Sequence, residues 1–176
     1  MNRTTLTAAL LCAALTATHA APADDLRTCR TANGETALAA CTAYLATPSL
    51  VPAQVALVHM LRAQTYIDQR KLNEALADYE AATRAEPTNA DAWYNHAIVA
   101  AGLSRPDVAI ADLTRAIALR PGWVPAYVAR GAMHLARGEA RQTIDDDDKA
   151  LQLDPNNPDA KTDRAKAQQL LTKANP

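Results

Sequence analysis

The chain has 176 residues, a formal net charge of −1 and a 49% hydrophobic composition, which suits one modest domain with a packed core. Aromatic residues make up only 4% and Phe is absent, while Ala is abundant. Alanine is the best helix former and almost nothing alternates with the period of a strand, so the fold class read from the sequence is all-α. A charge so near zero offers no footprint for nucleic acid.

The first segment, MNRTTLTAALLCAALTATHA, carries a basic residue at Arg3, an apolar stretch from Leu6 to Ala17 and the small-residue ending Thr18-His19-Ala20. This pattern predicts a signal peptide over 1–20, cleaved near Ala20, and a periplasmic or secreted protein. The apolar run is too short to span a bilayer, and no later stretch is long and apolar enough, so no integral membrane segment is expected. A lipoprotein site would need a small residue before Cys12, and Leu11 stands there. Cleavage removes Arg3 and Cys12, leaving seventeen basic residues (18 − 1) against nineteen acidic ones. It also leaves Cys29 and Cys41 as a pair, for which an oxidising compartment favours a disulfide. Two free buried thiols are the alternative.

After a polar stretch at 21–34, helical character runs from Glu35 to Ala46, and Pro48 and Pro52 stop it. Residues 21–55 read as a divergent N-terminal helical hairpin, with Cys29 on its first helix and Cys41 on its second. Then a proline returns every thirty-four residues, at Pro87, Pro121 and Pro155, each closing one copy of a segment: ALADYEAATRAEP, AIADLTRAIALRP, TIDDDDKALQLDP. A period of about thirty-four is that of a stacked helix–turn–helix unit. Three units follow, 56–89, 90–123 and 124–157. Asn89 is a good N-cap for the helix that carries Trp93, Ala97 and Ala100 on one face. Pro106 suits a first helical position. Gly138 falls where the turn of the third unit wants a left-handed residue, but Arg70 and Ser104 stand at the equivalent places, which predicts strained or reshaped turns there. A final helix, 158–173 within the segment 158–176, begins at Pro158 after the cap Asn157 and closes the stack, with Asn175 and Pro176 frayed.

These residues resemble the tetratricopeptide repeat (TPR) family, over about 56–173. Repeat one supplies Ala63, Tyr66, Ala75, Tyr79, Ala82 and Pro87; repeat two Trp93, Ala97, Ala109, Leu113, Ala116 and Pro121; repeat three Tyr127, Gly131, Ala150 and Pro155. Departures are His59 at the Trp place, His96 and Arg130 at the Leu place, and Asp147 at the second-helix aromatic place. Arg-Gly ahead of a second helix is similar to a common bacterial version, so the resemblance is to a bacterial secreted or periplasmic type. It implies a right-handed α-solenoid that binds other proteins and is not an enzyme.

Nothing in the sequence argues against that. No nucleophile–base set, phosphate loop or cysteine metal site occurs, and neither a cofactor nor a metal is expected. His59, His96 and His134 fall in three consecutive repeats at different positions and read as seam or surface histidines rather than a metal cluster. The run Asp145–Asp148 lacks the turn and glycine of a calcium loop and reads as a solvated helix, except for Asp147. Asp78, Asp112 and Asp146 are equivalent, and His96, Arg130 and Arg164 each come eighteen residues later. This offset predicts three inter-repeat pairs, Asp78–His96, Asp112–Arg130 and Asp146–Arg164, with independent solvent-facing charges as the alternative.

The family's first helices line a concave groove, which here implies Leu57, Met60, Gln64, Ile67, Tyr94, Ile98, Val128 and Leu135, together with Asp91, Ala101, Pro125 and Ala132. This lining is largely apolar and suits an amphipathic helix or hydrophobic peptide. Some members grip acidic C-terminal peptides with a clamp of Lys, Asn and Arg. The corresponding places hold Met60, Gln64, Asn95, Pro125 and Ala129, and only Asn95 matches. The reading is a non-enzymatic cell-envelope adaptor for another protein. Alternatives are a self-assembling homo-oligomeric module, a helical enzyme, or a groove covered by the N-terminal hairpin.

Overall fold

The computed structural model of the protein describes residues 21–174, so the expected leader 1–20 and the terminal Asn175 and Pro176 lie outside the described residues. The described residues form helices α1 (Pro22–Thr31), α2 (Gly34–Leu45), α3 (Pro52–Asp68), α4 (Leu72–Ala85), α5 (Ala90–Gly102), α6 (Pro106–Leu119), α7 (Val124–Ala136), α8 (Ala140–Leu153) and α9 (Pro158–Ala174), with no strand among them. Each helix packs on the next, and α5 also touches α7, as α7 touches α9. This is an all-α solenoid. α3–α4, α5–α6 and α7–α8 are its hairpins, and α9 stands where the first helix of a further unit would.

Small side chains set the packing. Ala63, Ala75, Ala82, Ala97, Ala109, Ala116, Ala126, Ala150 and Ala160 are all fully buried at the helix seams. With only a methyl between them, backbones approach closely, and the larger Tyr79 and Leu113 fill what remains. The repeating proline also has a partner. Trp93 Nε1 donates to the Pro87 carbonyl at 2.9 Å and the Tyr127 hydroxyl to the Pro121 carbonyl at 3.2 Å, so the first-helix aromatic ties down the loop before it.

The three intra-repeat turns are alike despite their different residues. Arg70, Ser104 and Gly138 all adopt positive φ, at 60°, 57° and 75°. At each, two backbone bonds close the helix end: Arg70 N–H to Ile67 O and Lys71 N–H to Tyr66 O, with the same pattern at Ser104–Arg105 and Gly138–Glu139. This double closure is the Schellman motif. The turns at Arg70 and Ser104 are therefore not reshaped. They keep the glycine geometry with a Cβ present, which costs about 1 kcal/mol each.

At the N-terminal end, α3 starts at Pro52 rather than near residue 56, because proline fits the first turn of a helix. A disulfide joins Cys29 on α1 to Cys41 on α2. Both sulfurs lie in a cluster with Ala40, Tyr44 and Val58 that docks the hairpin on α3.

Candidate functional site

A buried column of acids runs through the repeats, and its partners differ from those expected. Asp78 accepts two hydrogen bonds from Arg62 (2.8 and 2.7 Å) and lies 2.8 Å from His59 Nδ1. Asp112 lies 2.6 Å from His96 Nδ1, and Asp146 accepts two bonds from Arg130 (2.9 and 2.6 Å). Each acid thus pairs inside its own repeat. The pairs Asp78–His96, Asp112–Arg130 and Asp146–Arg164 do not form, and Arg164 lies against Asp148 at 2.5 Å instead. The physical reason is the hairpin: in two antiparallel helices, contacts are symmetric about the turn, and 62/78, 96/112 and 130/146 are centred on 70, 104 and 138. Links between repeats do exist: Arg137 is ion-paired with Asp107 of α6, and Arg130 also donates to Thr114 Oγ1 at 2.9 Å on α6. Arg62 does the same to Thr42 on α2. Burial would push the Asp78 carboxyl up, but the bonds from Arg62 and His59 outweigh it and hold it below the usual range. His134 completes the set by bonding Glu139 at 2.6 Å, so His59, His96 and His134 each face an acid of their own repeat.

Asp147 is different. Its side chain is wholly buried at the seam of α7, α8 and α9, and neither carboxylate oxygen has a hydrogen-bond partner. A Cβ on Gly131 would sit 2.9 Å from Asp147 Oδ1, so the missing methyl of Gly131 makes the room this carboxyl occupies. Burial is the main cause of a pKa pushed up to about 7, reinforced by Asp163, Asp146 and Asp148 and opposed by Arg164.

A concavity lies on the first-helix face, between α5, α7 and α9. It measures about 380 Å³ and is lined by Tyr94, Pro125, Val128, Ala129, Ala132, Asn157, Asp159 and Asp163. One wall is braced by an unusual cap. Asn89 and Asn157 each accept a bond from the backbone N–H three residues on, at 3.1 and 3.0 Å, and so start α5 and α9. The equivalent residue before α7 is Trp123, which has no side-chain cap. Its ring instead packs on Tyr94 with centroids 4.6 Å apart, and the Arg120 guanidinium covers it at 4.2 Å. Arg120 is in turn held by two bonds to Asp91, at 3.1 and 2.8 Å. An N-cap is given up for an aromatic that fixes the Tyr94 ring against the cleft, and burial pushes the Tyr94 phenol up.

Of the groove residues expected from the sequence, Tyr94 and Val128 meet in this cleft together with Pro125 and Ala132. Leu57, Met60, Gln64, Ile67, Ile98 and Leu135 do not line it. Leu57 and Ile98 are exposed, whereas Met60 and Ile67 pack partly against the core around Ala63 and Tyr79. Gln64 turns to Asp68 at 3.2 Å. Asn95, the one match to the clamp, is also outside the lining. Asp159 and Asp163 were missed because α9 read only as a cap. The offset of 34 from Pro125 to Asp159 was the signal that could have placed it. No residue of α1 or α2 lines the cleft, so the N-terminal hairpin leaves it open.

Among the described residues no helix is long and apolar enough to cross a membrane. The chain is 34% identical over 121 residues to RNA polymerase II-associated protein 3 of Xenopus laevis, covering 69% of this chain and 18% of that protein. It is 31% identical over 106 residues to the tetratricopeptide repeat and J domain-containing co-chaperone DNJ1 of Fusarium oxysporum f. sp. lycopersici, covering 57% of this chain and 20% of that one. It therefore spans about a fifth of the length of these curated relatives. Both are eukaryotic, and a bacterial type is not among what they show. A solved structure of the first TPR of Spaghetti (RPAP3), bound to the HSP90 peptide SRMEEVD, superposes with a TM-score of 0.66 at 32% identity, over 68% of this chain and 95% of that one. The tetratricopeptide repeat model matches residues 60–123 and 94–158, more than half of the chain between them, and with three hairpins in register the chain belongs to the tetratricopeptide repeat family.

Proposed function

We propose that the chain is a non-enzymatic adaptor of the cell envelope that holds a peptide or helix of another protein in the cleft between α5, α7 and α9. The observation that carries this reading is the cleft itself: an open apolar floor of Pro125, Val128, Ala129 and Ala132 with a braced Tyr94 wall. Tyrosine gives much contact area for little entropy, and a preorganised ring loses less freedom on binding. The similar TPR that carries an HSP90 peptide lends support, since it shares the repeat architecture. Export rests on the pattern of residues 1–20 and on the Cys29–Cys41 disulfide, a bond suited to an oxidising compartment.

Peptide display against the purified protein tests the adaptor role. Selected segments should bind the native chain and lose at least tenfold in affinity with Ala132→Trp, which fills the cleft without changing charge. Arg84→Ala with Arg115→Ala, on exposed positions of α4 and α6, should leave binding unchanged. Loss in the second variant and retention in the first would place the binding surface elsewhere. Elution volumes that shift with concentration, and no selected peptide, would favour self-assembly. For export, the mass of the protein from its native cell should match a chain beginning near Ala21, and a full-length mass would end that part of the reading.

A further inference from the structure

The cleft has a charge as well as a shape. Asp159 and Asp163 line it, and no Lys or Arg does. Asp159 is exposed and has no ion-pair partner among the described residues, whereas Asp163 is bridged to Lys166 at 2.8 Å. Two neighbouring cations are already engaged, Arg120 with Asp91 and the Trp123 ring and Arg164 with Asp148, while Lys161 of α9 is exposed and stands outside the cleft lining. Met60, Gln64, Pro125 and Ala129, at the places where some relatives carry clamp residues, bring no positive charge of their own. One opposing contribution is the positive end of the α9 dipole, worth about half a charge. Pro158 has no N–H to offer there and Asn157 already occupies the Ala160 N–H, so the full charge of the unpaired Asp159 outweighs it, with Asp163 screened by Lys166.

Resting on the peptide-binding reading above, we infer that the occupant of this cleft is an amphipathic segment with a basic residue beside its apolar anchor. The apolar anchor fills the floor between Val128, Ala129 and Ala132, and the basic group stands over Asp159 at the start of α9. An acidic peptide such as the SRMEEVD bound to the similar TPR meets the unpaired Asp159 here, and no Lys or Arg lines the cleft to receive its carboxylates.

Fluorescence anisotropy with three labelled probes tests this on the purified, disulfide-intact protein: two synthetic amphipathic peptides with the same leucine stripe, one bearing Lys and Arg and the other Glu, and the peptide SRMEEVD. The basic peptide should bind about tenfold more tightly than either acidic one at low salt, as an unpaired carboxylate beside an apolar floor allows, and the gap should narrow at high salt. Asp159→Asn should shrink the preference and Asp159→Lys should reverse it, while Ala129→Gln, a neutral obstruction of the floor, should weaken every probe alike. Equal binding of basic and acidic stripes, or preference for SRMEEVD, overturns the charge selection and leaves the apolar cleft reading intact. A basic preference that survives Asp159→Lys also overturns it, since the charge would then be read elsewhere. Failure of all three probes to bind overturns the cleft reading and this inference with it.

Discussion

Asp147 concentrates the tension of this sequence at one residue. Its equivalents are Tyr79 and Leu113, both buried seam residues, so its oddity was visible by aligning the repeats. What the alignment could not show is the space for it, which comes from Gly131, where the other repeats hold Ala63 and Ala97. A carboxyl whose folded pKa is raised from 3.8 to about 7 adds stability that is full below pH 3.8 and is lost as pH rises to about 7. By linkage that loss amounts to roughly 4 kcal/mol. The protection of α9 amides, corrected for the intrinsic rise of exchange with pH, should therefore fall between about pH 4 and 7, the span from the ordinary to the raised pKa, and Asp147→Asn should flatten the dependence. Asp147→Leu should stabilise by about 1–4 kcal/mol in chemical melts above neutrality. The same pair gives a sharper check: Gly131→Ala alone should destabilise through its close approach to Oδ1, yet in the Asp147→Leu background it should be neutral or stabilising, as Ala97 is beside Leu113. Additive effects of the two changes would count against this packing.

At the scale of the hairpin, the repeat was legible but its pairing was not. A period of thirty-four splits into sixteen and eighteen, so any acid sixteen residues after one base is eighteen before the next base. Sequence offsets alone leave the two choices degenerate, and only the face that α4, α6 and α8 turn to their own first helix decides. A double-mutant cycle on Arg130 and Asp146 should show coupling of about 1 kcal/mol or more, with Asp112 and Arg130 additive within error. Acid should weaken the first repeat, since the stability held by the lowered Asp78 is full above pH 3.8 and lost as pH falls through its folded value. That sign is opposite to Asp147, so the two ends of the stack should respond to pH in opposite senses. The turns carry a separate expectation. Arg70→Gly and Ser104→Gly remove a Cβ from a left-handed residue, and each should raise stability by roughly 0.5–1 kcal/mol in urea melts. The strain was readable from the absent glycines, but the survival of the turn geometry was not, because it depends on two backbone hydrogen bonds outweighing one side chain.

Over the whole molecule, the solenoid was legible because every unit repeats the same buried alanines, and periodicity needs no tertiary knowledge. The cleft was only half legible. Its floor follows from first-helix positions, but its acidic rim sits on α9, a helix that matches no repeat strongly, and its Tyr94 wall depends on a tryptophan standing in a capping position. Met60, expected in the groove, belongs to the packing around Ala63 instead, so Met60→Ala should lower the melting temperature while leaving peptide affinity within about twofold. Removing the Cys29–Cys41 bond should loosen α1 by roughly 2–3 kcal/mol, as expected for a loop of about a dozen residues, without touching the cleft that lies at the far end of the stack.

The most direct test of the central claim is a nuclear magnetic resonance titration of the labelled protein with a display-selected peptide. If the cleft is the binding surface, the backbone amides of Tyr94, Val128, Ala129, Ala132 and Asp159 should move first and furthest. Perturbations gathered on α4 and α6 around Arg84 and Arg115, with Val128 and Ala132 unmoved, would contradict it.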